Sequence, residues 1–390
     1  MFSSRLRQTA GRNRLALALD RRRASGLPVI DLTLSNPTRA GFAYPPGVLA
    51  PMTQERALSY EPEPFGMLSA RQAISDDFAR RGLAVPPNRI VLTASTSEAY
   101  SLLLKLLCDP GDRVLAPQPS YPLVEHLTNL DGVSVEHYRL EFHGRWELDT
   151  HGLLEQASGE RLRAIIMISP NNPTGSVVTD AELDFVSSVA RDRSLAVISD
   201  EVFGDYSIAG AAPSASALRQ QNTLTFVLGG LSKSVGLPQV KLGWIAVGGP
   251  APVVADAMER LEIICDAYLS VSTPVQVAAP ELLKSGAVIR QQIQQRVREN
   301  YAQLITIASA NPACAVMPVE AGWYAVVQVP AMTSEETMVL ELLDDTGVLV
   351  HPGYFFDFER EAFMVISLLP DPQVFASAAQ ALFGQIGSVR

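Results

Sequence analysis

Lys233 stands in GGLSKSVGLPQVKLGW, residues 229–244, with a second lysine, Lys241, eight positions later. A single lysine is usually a solvated cation, but one removed from water gives up its proton readily and attacks carbonyl carbon. Asp200 closes the apolar run LAVIS. A carboxylate at a buried strand end must find a positive or donor partner, or cap a helix. Asn172 lies in SPNNPTG, a stretch dense in turn formers and therefore either a tight connection or a donor site. Ser95, Thr96 and Ser97 stand shortly before the apolar SLLLKLL. They read as helix caps, and the same geometry offers free N–H groups, hydroxyls and the positive end of a helix dipole to a phosphate. Tyr121, in PSYP, is either core packing or a flat face for another ring.

These residues need a frame. From about residue 85 to 250, β-rich runs alternate with helical stretches: RIVLTA, DRVLAP, VSVEHYRL, RAIIMIS, SLAVISD, TLTFVLG and GWIAVGG. Such alternation predicts βαβ units around a mostly parallel, buried sheet. Ligands collect at the carboxyl ends of strands in such sheets, and five polar loops (STSEA, QPSYP, PNNPTG, DEVF and GGLSK) fall there. Residues from about 276 to 310 carry apolar positions at three- and four-residue spacing, predicting a long helix, and 316–390 reads as a smaller α+β unit.

Composition narrows the chemistry. The 390 residues are 47% hydrophobic and 18% charged, with a net charge of −10 that opposes nucleic acid or an anionic membrane as the main partner. Cys108, Cys265 and Cys314 are scattered and odd in number, which argues against a disulfide framework or zinc site and for a reducing, cytoplasmic location. The five histidines show no HExxH spacing, no GxSxG elbow occurs, and no apolar run reaches membrane-spanning length. No metal is expected. The arginine-rich start, without an acid until Asp20, reads as an amphipathic helix rather than a transit peptide.

In their order and gaps, SPNNPTG, SDEVF and SKSVGLPQVKLGW resemble the class I/II aminotransferases, fold-type I enzymes that use pyridoxal 5′-phosphate. The resemblance implies an α/β fold. Its large domain, residues 46–285, is expected to hold a seven-stranded, mostly parallel sheet flanked by helices; residues 1–45 with 286–390 form a smaller α+β domain. Lys233 matches the lysine that forms the Schiff base and shuttles protons, and Asp200 the carboxylate that pairs with the pyridine nitrogen. Asn172 matches the donor to the phenolic oxygen, and Tyr121 the aromatic stacked on the cofactor. Ser95, Thr96, Ser97 and Lys241 match the phosphate site. Tyr60, in YEPEPFG, resembles the tyrosine that reaches the neighbouring subunit's phosphate, so a homodimer with shared sites is implied. Ser35 and Asn36 occupy the segment that lies over the substrate, and Trp323 either walls the pocket or packs in the core.

Four positions depart from the pattern. Lys241 replaces an arginine, losing its bidentate fork; Gly230 replaces a serine; Phe203 replaces a tyrosine donor; and Val365 stands where an arginine usually clamps the substrate α-carboxylate. Arg360, Lys241 or a partner-subunit residue then holds that carboxylate, or the substrate is an amine without one there. The implied activity is ping-pong transfer of an amino group from an amino acid to a 2-oxo acid. Its rivals are C–S β-elimination or decarboxylation on the same cofactor, and, more remotely, a regulatory domain that binds the cofactor.

Overall fold

A computed structural model describes residues 2–3, 5, 12–208 and 215–388. Part of the N-terminal helix expectation falls outside the described residues; Arg14–Ala24 is helical, capped by the Asn13 side chain.

The apolar runs form the strands of one sheet: β1 (Ile90–Thr93), β2 (Arg113–Gln118), β3 (Ser134–Phe142), β4 (Trp146–Leu148), β5 (Leu162–Ile168), β6 (Ala196–Asp200), β7 (Thr225–Gly230) and β8 (Gly243–Gly248). Their order is β1-β8-β7-β6-β5-β2-β3-β4. The five strands from β7 to β3 run parallel, β8 is antiparallel to both of its neighbours, and β4 is antiparallel to β3. Strands covered on both faces read as unbroken apolar runs, and IVLT, TFVLGG and GWIAVG are buried throughout.

The sheet has eight strands, one more than the seven expected. β3 runs on to Phe142 and turns through a tight connection in which the His143 N–H donates to the Arg145 carbonyl at 2.9 Å. WEL then pairs back with Phe142 opposite Trp146. Three residues carry too little periodicity to announce a strand, so tertiary pairing alone defines β4.

Alternation places successive side chains in different layers. Val197 belongs to the large core shared with the C-terminal elements, whereas Ile198 belongs to a second core under the helix Thr96–Leu107. Asp200 follows Ile198 by two residues and emerges on that helix's side. A second antiparallel sheet, ordered β9-β10-β12-β11, comprises β9 (Ala315–Val316), β10 (Tyr324–Gln328), β11 (His351–Pro352) and β12 (Phe363–Ser367). Ile30–Asp31 pairs in parallel with Val348–Leu349, tying the N-terminal segment to the C-terminal part. The 36-residue helix Thr273–Ala308 packs against both Leu68–Arg80 and Pro372–Ser388.

Candidate active site

The ends of the central strands open into one cavity of about 390 Å³. Ser35, Ser95, Thr96, Ser97, Tyr121, Asn172, Asp200, Lys233 and Lys241 all line it. Residues spread over more than 200 positions meet there because all but Ser35 lie at or just beyond the ends of strands of the same sheet.

Lys233 lies on the one-turn helix Leu231–Ser234, directly after β7. The Tyr206 hydroxyl donates to its carbonyl, and Arg290 Nε donates to the Ser234 carbonyl at 2.8 Å. Its Nζ sits 4.8 Å from the Trp323 ring centroid and 5.5 Å from that of Phe203. Removal from water pushes its pKa down from 10.5 to about 8, against the pull of the Asp200 charge. Roughly one amine in ten is therefore neutral at pH 7 and free to act as nucleophile or base.

Asp200 is shifted the opposite way. Burial pushes its carboxyl up to about 6, while the Val202 N–H, the Tyr100 hydroxyl and Lys233 favour its charged form. A cation brought into the cavity would restore full ionisation.

At the other end a helix N-terminus opens into the cavity. Ser95 caps Thr96–Leu107, its hydroxyl accepting from the Glu98 N–H at 3.2 Å, and the Glu98 carboxylate turns back to accept from the Ala94 N–H at 2.6 Å. The first-turn N–H groups of Thr96 and Ser97 have no partner within the helix. A Cβ on Gly243 would sit 3.0 Å from the Ser95 backbone and 3.2 Å from the Thr96 nitrogen, so only glycine lets the strand approach this turn so closely. Lys241, in the left-handed region at φ 59°, brings the one further cation among the described lining residues. At Gly230 a Cβ would press to 3.1 Å from the Leu242 carbonyl oxygen, so this chain has little room for a serine hydroxyl there.

The residues fit pyridoxal phosphate. Asn172 Oδ1 is buried and unpartnered, as expected of an amide kept for a ligand and oriented only when one binds. The neighbouring Asn171 shapes the loop instead, accepting from the Thr174 N–H and hydroxyl at 3.2 and 2.8 Å.

Other candidates fall elsewhere. Asn36 does not line the cavity; its side chain accepts from the Thr38 N–H at 3.0 Å and caps Pro37–Arg39. Trp323 is fully buried beneath Lys233, so it shapes the pocket floor without lining it. Arg360 is exposed and stacks at 5.6 Å over Phe363 outside the cavity, so it does not stand in for the missing clamp. Tyr60 is 70% exposed and lines a separate shallow groove with Tyr268. Val365 is fully buried among Trp146, Met317, Val326, Phe358 and Phe363. Sequence reasoning did not single out Tyr100, Ser232 or Leu123 as lining residues. Tyr100 was detectable in principle, because it lies one helical turn beyond Thr96 and shares its face.

A buried lysine and carboxylate with oppositely shifted protons, set beside an open helix N-terminus at the edge of a parallel sheet, fit an α/β enzyme that uses a phosphorylated carbonyl cofactor. Comparison with known proteins narrows this class. The model of the family described as aminotransferase class I and II matches residues 49–382, and the chain belongs to that family. It is accordingly a pyridoxal-phosphate-dependent aminotransferase. It is 27% identical over 354 residues to the glutamate-pyruvate aminotransferase AlaA of Haemophilus influenzae, covering 88% of this chain and 87% of that protein. It is 27% identical over 382 residues to an alanine aminotransferase of Mycobacterium tuberculosis, covering 94% and 87%. An alanine aminotransferase structure from Pyrococcus furiosus superposes with a TM-score of 0.87 at 23% identity, covering 95% of each chain, which supports the fold.

Proposed function

We propose that this chain moves an amino group from an amino acid to a 2-oxo acid in two half-reactions at one site, with Lys233 as the residue that would hold the cofactor's carbonyl carbon. The observation that carries the reading is that Lys233 and Asp200 open into the same cavity with protonation shifted in opposite directions. When bound, pyridoxal phosphate supplies an aldehyde carbon and an electron-accepting ring. Asp200 would pair with the ring nitrogen and keep it protonated, Asn172 would donate to the phenolic oxygen, and Tyr121 would offer its face to the ring. Ser95, Thr96, Ser97 and Lys241 would hold the phosphate, Lys241 as a point charge without a fork. With its Nζ free in the cavity, Lys233 would accept and return the proton of the substrate α-carbon; a base with a pKa near 8 both takes and returns protons at neutral pH. Phe203 has no hydroxyl, so Asn172 serves the phenolic oxygen alone.

The enzyme works as a homodimer in which Tyr60 reaches the partner's site; Leu58, Tyr60, Leu68, Ile263 and Tyr268 are more than half exposed, an apolar surface suited to burial against a second copy. It works in the cytoplasm, where Cys108, Cys265 and Cys314, all free, stay reduced. No helix among the described residues is long and apolar enough to cross a membrane.

The names of the 27% identical relatives make alanine, glutamate and pyruvate the first substrates to test. A second reading, a donor lacking an α-carboxylate, draws on Val365 and on the described cavity lining, whose cations are Lys233 and Lys241 alone.

The test is spectral. Purified protein with added pyridoxal phosphate should develop the absorbance of the bound cofactor, which Lys233→Ala should lack. Amino acids should then convert it to the amine form, and 2-oxo acids should reverse the change. Catalytic keto-acid production without an acceptor would sink the transfer reading in favour of elimination. Conversion by carboxylate-free amines only would select the second reading.

A further inference from the structure

Tyr100 has no part in the roles assigned above, yet it lines the cavity while being only 3% exposed. Its hydroxyl donates to Asp200 Oδ2 at 3.2 Å, and the Val202 N–H donates to Oδ1 at 3.3 Å. One donor on each oxygen restrains the carboxylate from rotating and leaves its remaining lone pairs for the cavity that Asp200 lines. Tyr100 is placed to do this because it follows Thr96 by four residues on the helix Thr96–Leu107, one turn and about 6 Å along the axis. The same rigid helix therefore offers its first-turn N–H groups to an anion and, a turn later, fixes the acid.

We propose that Tyr100 is a positioning residue for Asp200: its hydroxyl holds the carboxylate ionised and aimed, so that a cationic ring nitrogen entering the cavity meets a fixed acceptor. This rests on the cofactor reading given above.

The electrostatic surroundings agree. The titratable and charged groups around Asp200 are Tyr100 on the helix, Lys233 beyond the neighbouring strand, Glu201 on its own chain segment and Tyr121 across the cavity. Burial and Glu201 raise its pKa, while the Val202 and Tyr100 hydrogen bonds and Lys233 lower it. Tyr100's own proton is held on by burial first and by the Asp200 charge second, so the phenol remains a donor throughout the working range.

The alternative is a core tyrosine whose hydroxyl merely needs a partner, and Tyr138 supplies the comparison. Tyr138 is equally buried and donates to the Ile166 carbonyl at 2.9 Å. Full-length apoprotein is titrated between pH 5 and 9 with two readouts: the affinity for pyridoxal phosphate, and the carboxyl signal of ¹³Cγ-labelled aspartate, assigned by its loss in Asp200→Asn. Wild type should show a midpoint near 6. Tyr100→Phe should move it up by about one to two pH units, as expected for losing a hydrogen bond to a charged group. It should also weaken cofactor binding at pH 6 by roughly tenfold, while Tyr138→Phe leaves both readouts unchanged. Site-specific 3-fluorotyrosine at position 100, a stronger donor of nearly the same shape, should lower the midpoint, and it carries the test if Tyr100→Phe does not fold. An unmoved midpoint in Tyr100→Phe, an equal shift in Tyr138→Phe, or no downward shift with 3-fluorotyrosine overturns the inference. Failure of wild type to bind the cofactor would instead defeat the functional reading, and the carboxyl titration would still judge Tyr100.

Discussion

Titrating the apoprotein's capture of pyridoxal phosphate should reveal an amine that loses its proton near pH 8 rather than 10.5. Desolvation is the larger cause, and Asp200 opposes it. At pH 7 a pKa of about 8 leaves roughly one amine in ten neutral, against about one in three thousand for an ordinary lysine, a factor on the order of 300. Capture followed by stopped-flow absorbance from pH 6 to 11 should show this midpoint, and Asp200→Asn should lower it further by removing the charge that stabilises the ammonium. The same shift is a stability statement. The folded pKa lies below the unfolded one, so between pH 8 and 10.5 the unfolded chain binds more protons and stability rises with pH. A shift of this size corresponds to a cost of about 3 kcal/mol below pH 8. The apoprotein should gain stability relative to Lys233→Met across that window, measured by urea melts. A capture midpoint at or above pH 10, or one that rises in Asp200→Asn, would refute the desolvation argument.

Three further outcomes can be checked directly. Lys241→Arg restores a two-pronged phosphate donor and should tighten cofactor binding by roughly three- to tenfold, read by equilibrium dialysis; unchanged or weaker binding would remove Lys241 from the phosphate end. Val365→Arg forces a guanidinium into the cluster of Trp146, Met317, Val326, Phe358 and Phe363 and should cost about 3–5 kcal/mol in denaturant melts; wild-type stability would mean that the side chain escapes to the cavity. Glu335 is fully buried and accepts from the N–H groups of Tyr354, Ala362 and Phe363 at 2.7–2.8 Å. Glu335→Ala strands these donors and should cost about 3 kcal/mol or more, with calorimetry as the measure and a loss under 1 kcal/mol as the contrary result.

Much of the site was legible along the chain. LAVIS before Asp200 and TFVLGG before Lys233 read as buried strands because their apolar character is continuous, and polar loops at such strand ends belong at one sheet edge. Other features were not legible. Nothing local distinguishes Ser35, which lines the cavity, from Asn36, which caps a turn one residue later. Arg360 was a reasonable stand-in for the missing arginine, but its neighbour Glu359 pairs with Arg139 at 2.5 Å and the segment stays at the surface.

By itself the sequence determined the strand-and-loop alternation, through residue type and period, and its resemblance to the family marked Lys233 and Asp200 as the expected nucleophile and acid and 203, 230, 241 and 365 as irregular positions. Only the tertiary structure decided which of those residues share a cavity and what their protons do. Burial of Lys233 against Phe203 and Trp323, and the reach of Tyr100 from its helix to Asp200, depend on contacts between segments 30 to 100 residues apart. Desolvation and hydrogen-bond direction arise from those contacts, and they shift the protonation of the lysine and the aspartate in opposite directions.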